Sequence, residues 1–351
     1  MKKLKIIFTI LIISLLCACS SSNNQATNQE KKVVEEKVFY SSLDGKEVKE
    51  EDLDRPIFAI MFDNHPDARP QSSIEDAEII YEYKVEGEFT RFLGLFQRNE
   101  ASVIGPIRSA RPYFVNTAKE YDAIYVHWGG SEAGYDQIKV DGVNDIDGIA
   151  YEGSTFYRNK EVNKKRPHDG YSSYDLLFDR AKELSYLDGI KNGEYFKFDT
   201  NKDLADLKKQ MQDTPCDDLK INFFPSYNTD FVYDKEKGMY LVVVNGENLI
   251  DEASNNDIFA SNIIVQFANS KVAGPNGTLK IDNIGQGSGK LISDGKIIDI
   301  KWEKADENSK TKFYTLDDKE IILKPGKTFI ETTDAEEDLE ILPLSPDQKE
   351  E

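Results

Sequence analysis

Residues 105–131 read GPIRSARPYFVNTAKEYDAIYVHWGGS, and this stretch decides how the first half of the chain is organised. It predicts a strand end, a turn carrying Arg108 and Arg111, a helix opened by Pro112, a second strand over Ala123–Trp128, and a Gly129-Gly130-Ser131 turn into another helix. Proline suits a first helical turn because its missing N–H has no intrahelical partner to lose. Ser131 suits the N-cap of a helix reaching about Val140. With the two strands parallel and adjacent, both turns meet at one edge of a sheet, where open α/β sheets bind ligands.

Upstream of this stretch, Ile57–Phe62 is a short continuous apolar run, the pattern of a buried strand. It ends in the turn Asp63-Asn64-His65-Pro66. Ser73–Ala77 predicts a short helix, and Val103–Ile107 a further strand. Ile79–Val85 and Phe89–Phe96 flank Glu86-Gly87-Glu88, a hairpin signal. Downstream, residues 141–170 are rich in Gly, Asp and Asn and read as loop. Ser172 with Asp175 makes a capping box for a helix to about Leu187. From Ile221 the pattern changes to short strands separated by Asn245-Gly246, Asn276-Gly277, Asp294-Gly295 and Pro325-Gly326. The expected fold class is mixed α+β. An N-terminal α/β domain spans 55–200, an interdomain segment 201–220, and a β-rich, sandwich- or barrel-like C-terminal domain 221–332.

The two ends have a different character. Lys2, Lys3 and Lys5 precede the apolar run Ile6–Leu16, followed by Leu16-Cys17-Ala18-Cys19, which is the layout of a signal peptide with a small residue before a cysteine. The run is short for a membrane span. It resembles a bacterial lipoprotein signal over residues 1–19, with Cys19 as the acylated new N-terminus. The expected location is the extracytoplasmic face of the cell membrane. Residues 20–54 are polar and charged, the composition of a solvated linker, and 333–351 form an acidic tail. Processing leaves Cys216 without an intramolecular disulfide partner, and no function is assigned to it.

The net charge of −20 over 351 residues argues against nucleic acid as a partner, because phosphate backbones require a positive surface. Within this acidic chain all nine arginines and all three histidines lie between residues 55 and 180. Arginine offers a planar fork of donors that matches carboxylate or phosphate. Arg108 and Arg111 at a strand-to-helix turn, with the amides of Gly129, Gly130 and Ser131 at a second turn, predict an anion-binding edge; Asn64 and Arg166 are further ligand-binding candidates. The structural alternative is internal ion pairing, with Asp63, Glu82 and Glu86 as partners. His127, His168 and Asp63 are the catalytic candidates, as a general acid/base set. With His65 they also compose a possible metal set, but no HExxH, HxH or paired-cysteine pattern is present, so no metal and no cofactor is assigned. Gly285-Gln286-Gly287-Ser288-Gly289-Lys290 lacks the phosphate-loop spacing.

Several of these motifs, in order, resemble the YerB-like bacterial lipoprotein family, which has two consecutive domains of unknown function. They are Asp63-Asn64-His65-Pro66, Arg69-Pro70-Gln71, Thr90-Arg91-Phe92, Gly105 to Arg111, His127 with Gly129-Gly130-Ser131, Arg166-Pro167-His168, Gly285-Gln286-Gly287 and Leu323 to Lys327. The resemblance covers about residues 55–331 and departs from the family pattern at Asp169, where asparagine is more usual. It implies the lipid anchor and the two-domain division, and no activity. Three functional readings follow: binding of an anionic envelope ligand such as a wall glycopolymer or lipid-linked precursor, hydrolysis or transfer on such a ligand, and docking of cell-wall enzymes through the β-rich half.

Overall fold

The computed structural model describes residues 37–190, 192–211, 214–274 and 277–342. The expected signal sequence with Cys19, and the tail beyond 342, lie outside the described residues. The centre of the fold is a ten-stranded mixed sheet. From one edge its strands are Lys312–Thr315, Lys296–Lys304, Gly285–Ser293, Asn262–Phe267, Thr328–Thr333, Ile79–Val85, Phe89–Phe96, Phe58–Asp63, Ile124–His127 and Asp145–Asp147. Thr328–Thr333 runs parallel to Ile79–Val85, so strands from both halves of the chain share one backbone ladder.

Side chains alternate across this sheet with the period of two that a strand imposes. Phe58, Ile60 and Phe62 enter one apolar core, while Ile57, Ala59 and Met61 enter the other. A second sheet, built on Asp218–Phe224, Tyr227–Asp234 and Met239–Val244, covers the first face, with Phe231 edge-on to Phe329 at 5.5 Å. The helix Pro112–Glu120 covers part of the second face, where Phe114 meets Tyr83 edge-on at 5.0 Å. Burial on both faces explains why the central strands are nearly continuous apolar runs. The β-rich half forms a sandwich in which one layer continues into the N-terminal strands. Among the described residues no helix is long and apolar enough to cross a membrane.

Order begins within the segment 20–54 that composition reads as a linker. Phe39–Tyr40 pairs with Glu47–Val48, Leu43 is fully buried, and Asp44 Oδ2 lies 2.9 Å from Arg98 Nη2. Val103–Ile107 makes isolated bridges to Ser72, Ser172 and Phe62 in place of a strand. Pro106 has no amide hydrogen for a ladder, and Gly105 adopts φ +151° where a Cβ would stand 2.8 Å from the Gly170 carbonyl. The parallel neighbours of Ile124–His127 are instead Phe58–Asp63 on one side and Asp145–Asp147 on the other. Residues 106–110 run between the carboxyl ends of Phe58–Asp63 and Ile124–His127. Asp63 N donates to Pro106 O at 2.9 Å and Arg108 N to Met61 O at 3.0 Å, while Trp128 N donates to Arg108 O and Ala110 N to Gly129 O, both at 2.9 Å.

Three local features refine the sequence reading. Ser131 does cap its helix, accepting from Gly134 N, whereas the cap of Tyr174–Glu183 is Ser173. Ser172 is buried and donates to Thr155 O. The glycine-rich stretch 285–290 lies in a strand, where a Cβ on Gly287 would stand 2.6 Å from Trp302 Nε1 and one on Gly289 2.3 Å from Val265 O. Cys216 is buried, which pushes its thiol pKa up to about 12.

Candidate functional site

Asp63 ends its strand at the carboxyl edge of the sheet, 3% exposed, and its carboxylate collects three partners. Oδ1 accepts the His65 amide at 3.1 Å. Oδ2 faces His168 Nδ1 at 2.7 Å and Arg108 Nε at 3.0 Å. Burial by itself raises the pKa of this carboxyl, but the His168 hydrogen bond, the Arg108 charge and the His65 amide together hold it below the ordinary value. Gln71 Nε2 donates to the Asp63 carbonyl at 2.9 Å and closes the turn from below.

Asp63 thus anchors two cationic or ionisable groups from behind. Their outer atoms remain available: neither terminal nitrogen of Arg108 nor Nε2 of His168 has a hydrogen-bond partner among the described residues. The two side chains are 23% and 12% exposed. His65 stacks on His168, with ring centroids 4.8 Å apart and planes 22° apart, and leans on Phe89 from the other side at 4.5 Å. Burial, then the neighbouring His168, lower the His65 pKa against the pull of Asp63 and Asp67. Chemically the cluster offers a guanidinium fork and two imidazoles on one face, backed by one carboxylate. Of the sequence candidates, Asp63 and His168 meet here with Arg108; His65 joins them through the turn that begins at Asp63.

The remaining candidates lie in other environments. Arg111 pairs with Glu86, its Nε 3.0 Å from Oε2, and Arg91 Nη2 reaches the same carboxylate at 3.8 Å. Arg108 and Arg111 therefore address different carboxylates. The Gly129 amide is occupied by Asp147 Oδ1 at 2.8 Å, and Asp147 Oδ2 takes the Tyr135 hydroxyl at 2.7 Å, so an internal carboxylate fills the anion position at that turn. His127 is fully buried, with Nδ1 2.8 Å from Gly129 O and Nε2 3.1 Å from Asp145 Oδ2. Both of its ring nitrogens are engaged, away from Asp63. Asn64 is also fully buried, and its amide donates to Thr90 Oγ1 at 2.9 Å and the Tyr227 hydroxyl at 2.5 Å. Arg166 is 70% exposed and 3.4 Å from Glu152. Arg158 sits over Trp128, its guanidinium carbon 3.9 Å from the ring centroid, and holds Asp169 at 2.8 Å. Gly130 bridges to Ala110, and Ser131 lies at the rim of a cavity of about 760 Å³ that also touches Pro112, Asn116 and Leu279. Neither Arg108 nor Arg111 lines that cavity.

Residues 43–187 match the N-terminal domain, and residues 219–330 the C-terminal domain, of a family described as protein of unknown function (DUF3048). The chain belongs to the DUF3048 family. A curated relative is the protein named "Putative lipoprotein YerB" of Bacillus subtilis (strain 168), 29% identical over 297 residues, which are 84% of this chain and 86% of that protein. The crystal structure of the YerB protein from Bacillus subtilis superposes with a TM-score of 0.77 at 27% identity, covering 87% of this chain and 100% of that one. The resemblance expected from the motifs is thereby established, and with it the mixed fold. Both matched domains are of unknown function, so the DUF3048 assignment brings no activity with it. Sequence reasoning did not foresee the stacking of His65 on His168. The only local sign of it is that each histidine stands beside a proline in a turn; their approach is made by the loop that carries residues 159–170 back over the end of the Phe58–Asp63 strand.

Proposed function

We propose that this chain is a membrane-anchored lipoprotein, tethered through Cys19 on the extracytoplasmic face, that binds an anionic envelope ligand at the face formed by Arg108, His168 and His65. The observation that carries the reading is the Asp63 anchor. One buried carboxylate fixes Arg108 and His168 through their inner nitrogens, 3.0 and 2.7 Å away, and leaves the terminal guanidinium nitrogens of Arg108 free to donate beside His168 Nε2. Donors whose direction is fixed in advance lose little freedom on binding. A phosphodiester or carboxylate suits the guanidinium fork. The lipoprotein name of the Bacillus relative and the lipobox-like Leu16-Cys17-Ala18-Cys19 support the anchor.

The test is sedimentation of the full chain with a purified anionic wall polymer, in chelator, as wild type and as Arg108→Ala. Loss of a charge-assisted hydrogen bond of about 1.5–3 kcal/mol predicts roughly a 10- to 100-fold weakening. Equal binding of the two proteins would remove the site. A second reading, hydrolysis or transfer on the same ligand, draws on the Asp63–His168 contact, which sets His168 Nε2 as a base. It requires product release from the polymer that disappears in His168→Ala; polymer recovered intact after incubation with wild type leaves binding alone.

A further inference from the structure

We propose that His65, Asp67 and His168 form a binding site for a divalent transition-metal ion of the zinc class, beside Arg108. One ligand atom from each of these residues lies within 4.8 Å of those from the other two. His65 Nδ1 stands 3.8 Å from Asp67 Oδ2. A tetrahedral ion with donors at about 2.0–2.2 Å spaces them roughly 3.4 Å apart. Closing the set from a widest spacing of 4.8 Å therefore takes about 1.4 Å of side-chain movement, to which Asp67, 77% exposed, and the partly exposed imidazoles can contribute.

Both imidazoles already present a lone pair. His65 Nδ1 accepts the Asp67 amide at 3.1 Å, so it carries no hydrogen. His168 directs Nδ1 at the Asp63 carboxylate at 2.7 Å, which places the hydrogen there and leaves Nε2 as the donor atom. A carboxylate behind a ligating histidine fixes its tautomer and raises its basicity, and Asp63 stands in that position. When an ion takes the His65 lone pair, the Asp67 amide hydrogen bond gives way to the new bond. Two imidazole nitrogens and one carboxylate suit Zn²⁺ and its first-row neighbours, whereas Mg²⁺ and Ca²⁺ prefer oxygen alone.

Three protein ligands leave one position open. Arg108 shares Asp63 with His168, so an anion held by the guanidinium lies next to that open position. This last link rests on the anion-binding reading; the metal site stands without it. The two loops that the ion would join are the turn after Asp63 and the loop ending at Gly170, which already meet at the Asp63–His168 contact, the stacked rings and the Lys164–Pro70 hydrogen bond.

The experiment is equilibrium dialysis of the full, tag-free chain in detergent against Zn²⁺ alone, with no anion present. The expected result is one Zn²⁺ per chain, bound at least ~10-fold more weakly by His65→Gln, by Asp67→Asn and by His168→Gln, with Asp63→Asn weakening it by about 10- to 100-fold. Asp67→Asn lies on an exposed side chain and keeps the test decisive if His168→Gln does not fold. Substitution by Co²⁺ should add the visible absorption of a tetrahedral nitrogen–oxygen site. Less than one ion per chain, or unchanged affinity in His65→Gln and Asp67→Asn, overturns the proposal and assigns any zinc to surface carboxylates. Zinc measured without anion and anion binding measured in chelator fail independently.

Discussion

Glu331 lies directly opposite Glu82 across the parallel ladder, and both carboxyls are fully buried. Glu82 accepts from Thr90 at 2.5 Å, Thr229 at 3.0 Å and Asn64 at 3.3 Å. Neither carboxyl oxygen of Glu331 has a hydrogen-bond partner among the described residues, and an unpaired buried carboxyl favours its neutral form. Burial, then the charge of Glu82, raise the Glu331 pKa well above the ordinary value. In the unfolded chain the same group ionises near its model-peptide value of about 4.3. Its contribution to stability is therefore complete below that pH and declines as pH rises towards the raised folded value. Glu331→Gln places an amide there that does not ionise. Urea unfolding should show the variant gaining on wild type as pH rises from 5 to 8; parallel stability curves would contradict the raised Glu331 pKa. Nothing in the sequence marks either glutamate, because a single carboxyl in a strand reads as an ordinary polar position. The arginines were more legible. Their restriction to one part of the chain signals geometric use, but whether the partner is a ligand or a protein carboxylate depends on side chains brought in from distant strands, as Glu86 is for Arg111 and Asp63 for Arg108.

The elements that sequence reads well are those set by local period and turn chemistry. The hairpin Ile79–Val85 and Phe89–Phe96, the helix Pro112–Glu120 and the strand Ile124–His127 fall where alternation, Gly87 and Pro112 place them. Val103–Ile107 has strand-like residues, yet its amides and carbonyls bond to three separate segments because Pro106 interrupts any ladder. The strand Gly285–Ser293 shows the converse. Its glycines resemble a ligand loop in sequence and serve close packing in the fold, with the Val265 carbonyl 2.3 Å from where a Gly289 Cβ would sit. Gly289→Ala is expected to lower unfolding stability by about 1–3 kcal/mol through that backbone clash. Ser288→Ala, one residue away with an exposed side chain, should stay within about 0.5 kcal/mol. Chemical denaturation of the pair measures the difference, and equal stabilities would mean that the two strands separate freely.

Across the whole molecule, the ladder between Thr328–Thr333 and Ile79–Val85 ties the two DUF3048 segments into one sheet. Their separation in sequence is not a separation in the core. The full chain should unfold in one calorimetric transition. A fragment ending at residue 211 should lack that cooperativity, since it loses the strand beside Ile79–Val85 and leaves a long apolar edge unpaired. A cooperative fragment with the melting temperature of the full chain would show two independent cores. The sequence by itself determined the mixed fold class, most element positions, the family and the segment from which the candidate site is drawn. All of these rest on short-range signals: periodicity, turn residues, charge distribution and ordered motifs. Only the tertiary structure decided which of the clustered side chains meet. It joins His168 to Asp63, Arg108 and His65, gives Arg111 to Glu86, and closes the Gly129 turn with Asp147. The physical reason is that hydrogen bonds and ion pairs act over a few ångströms, and strand register and loop return bring groups to that distance however far apart they lie along the chain.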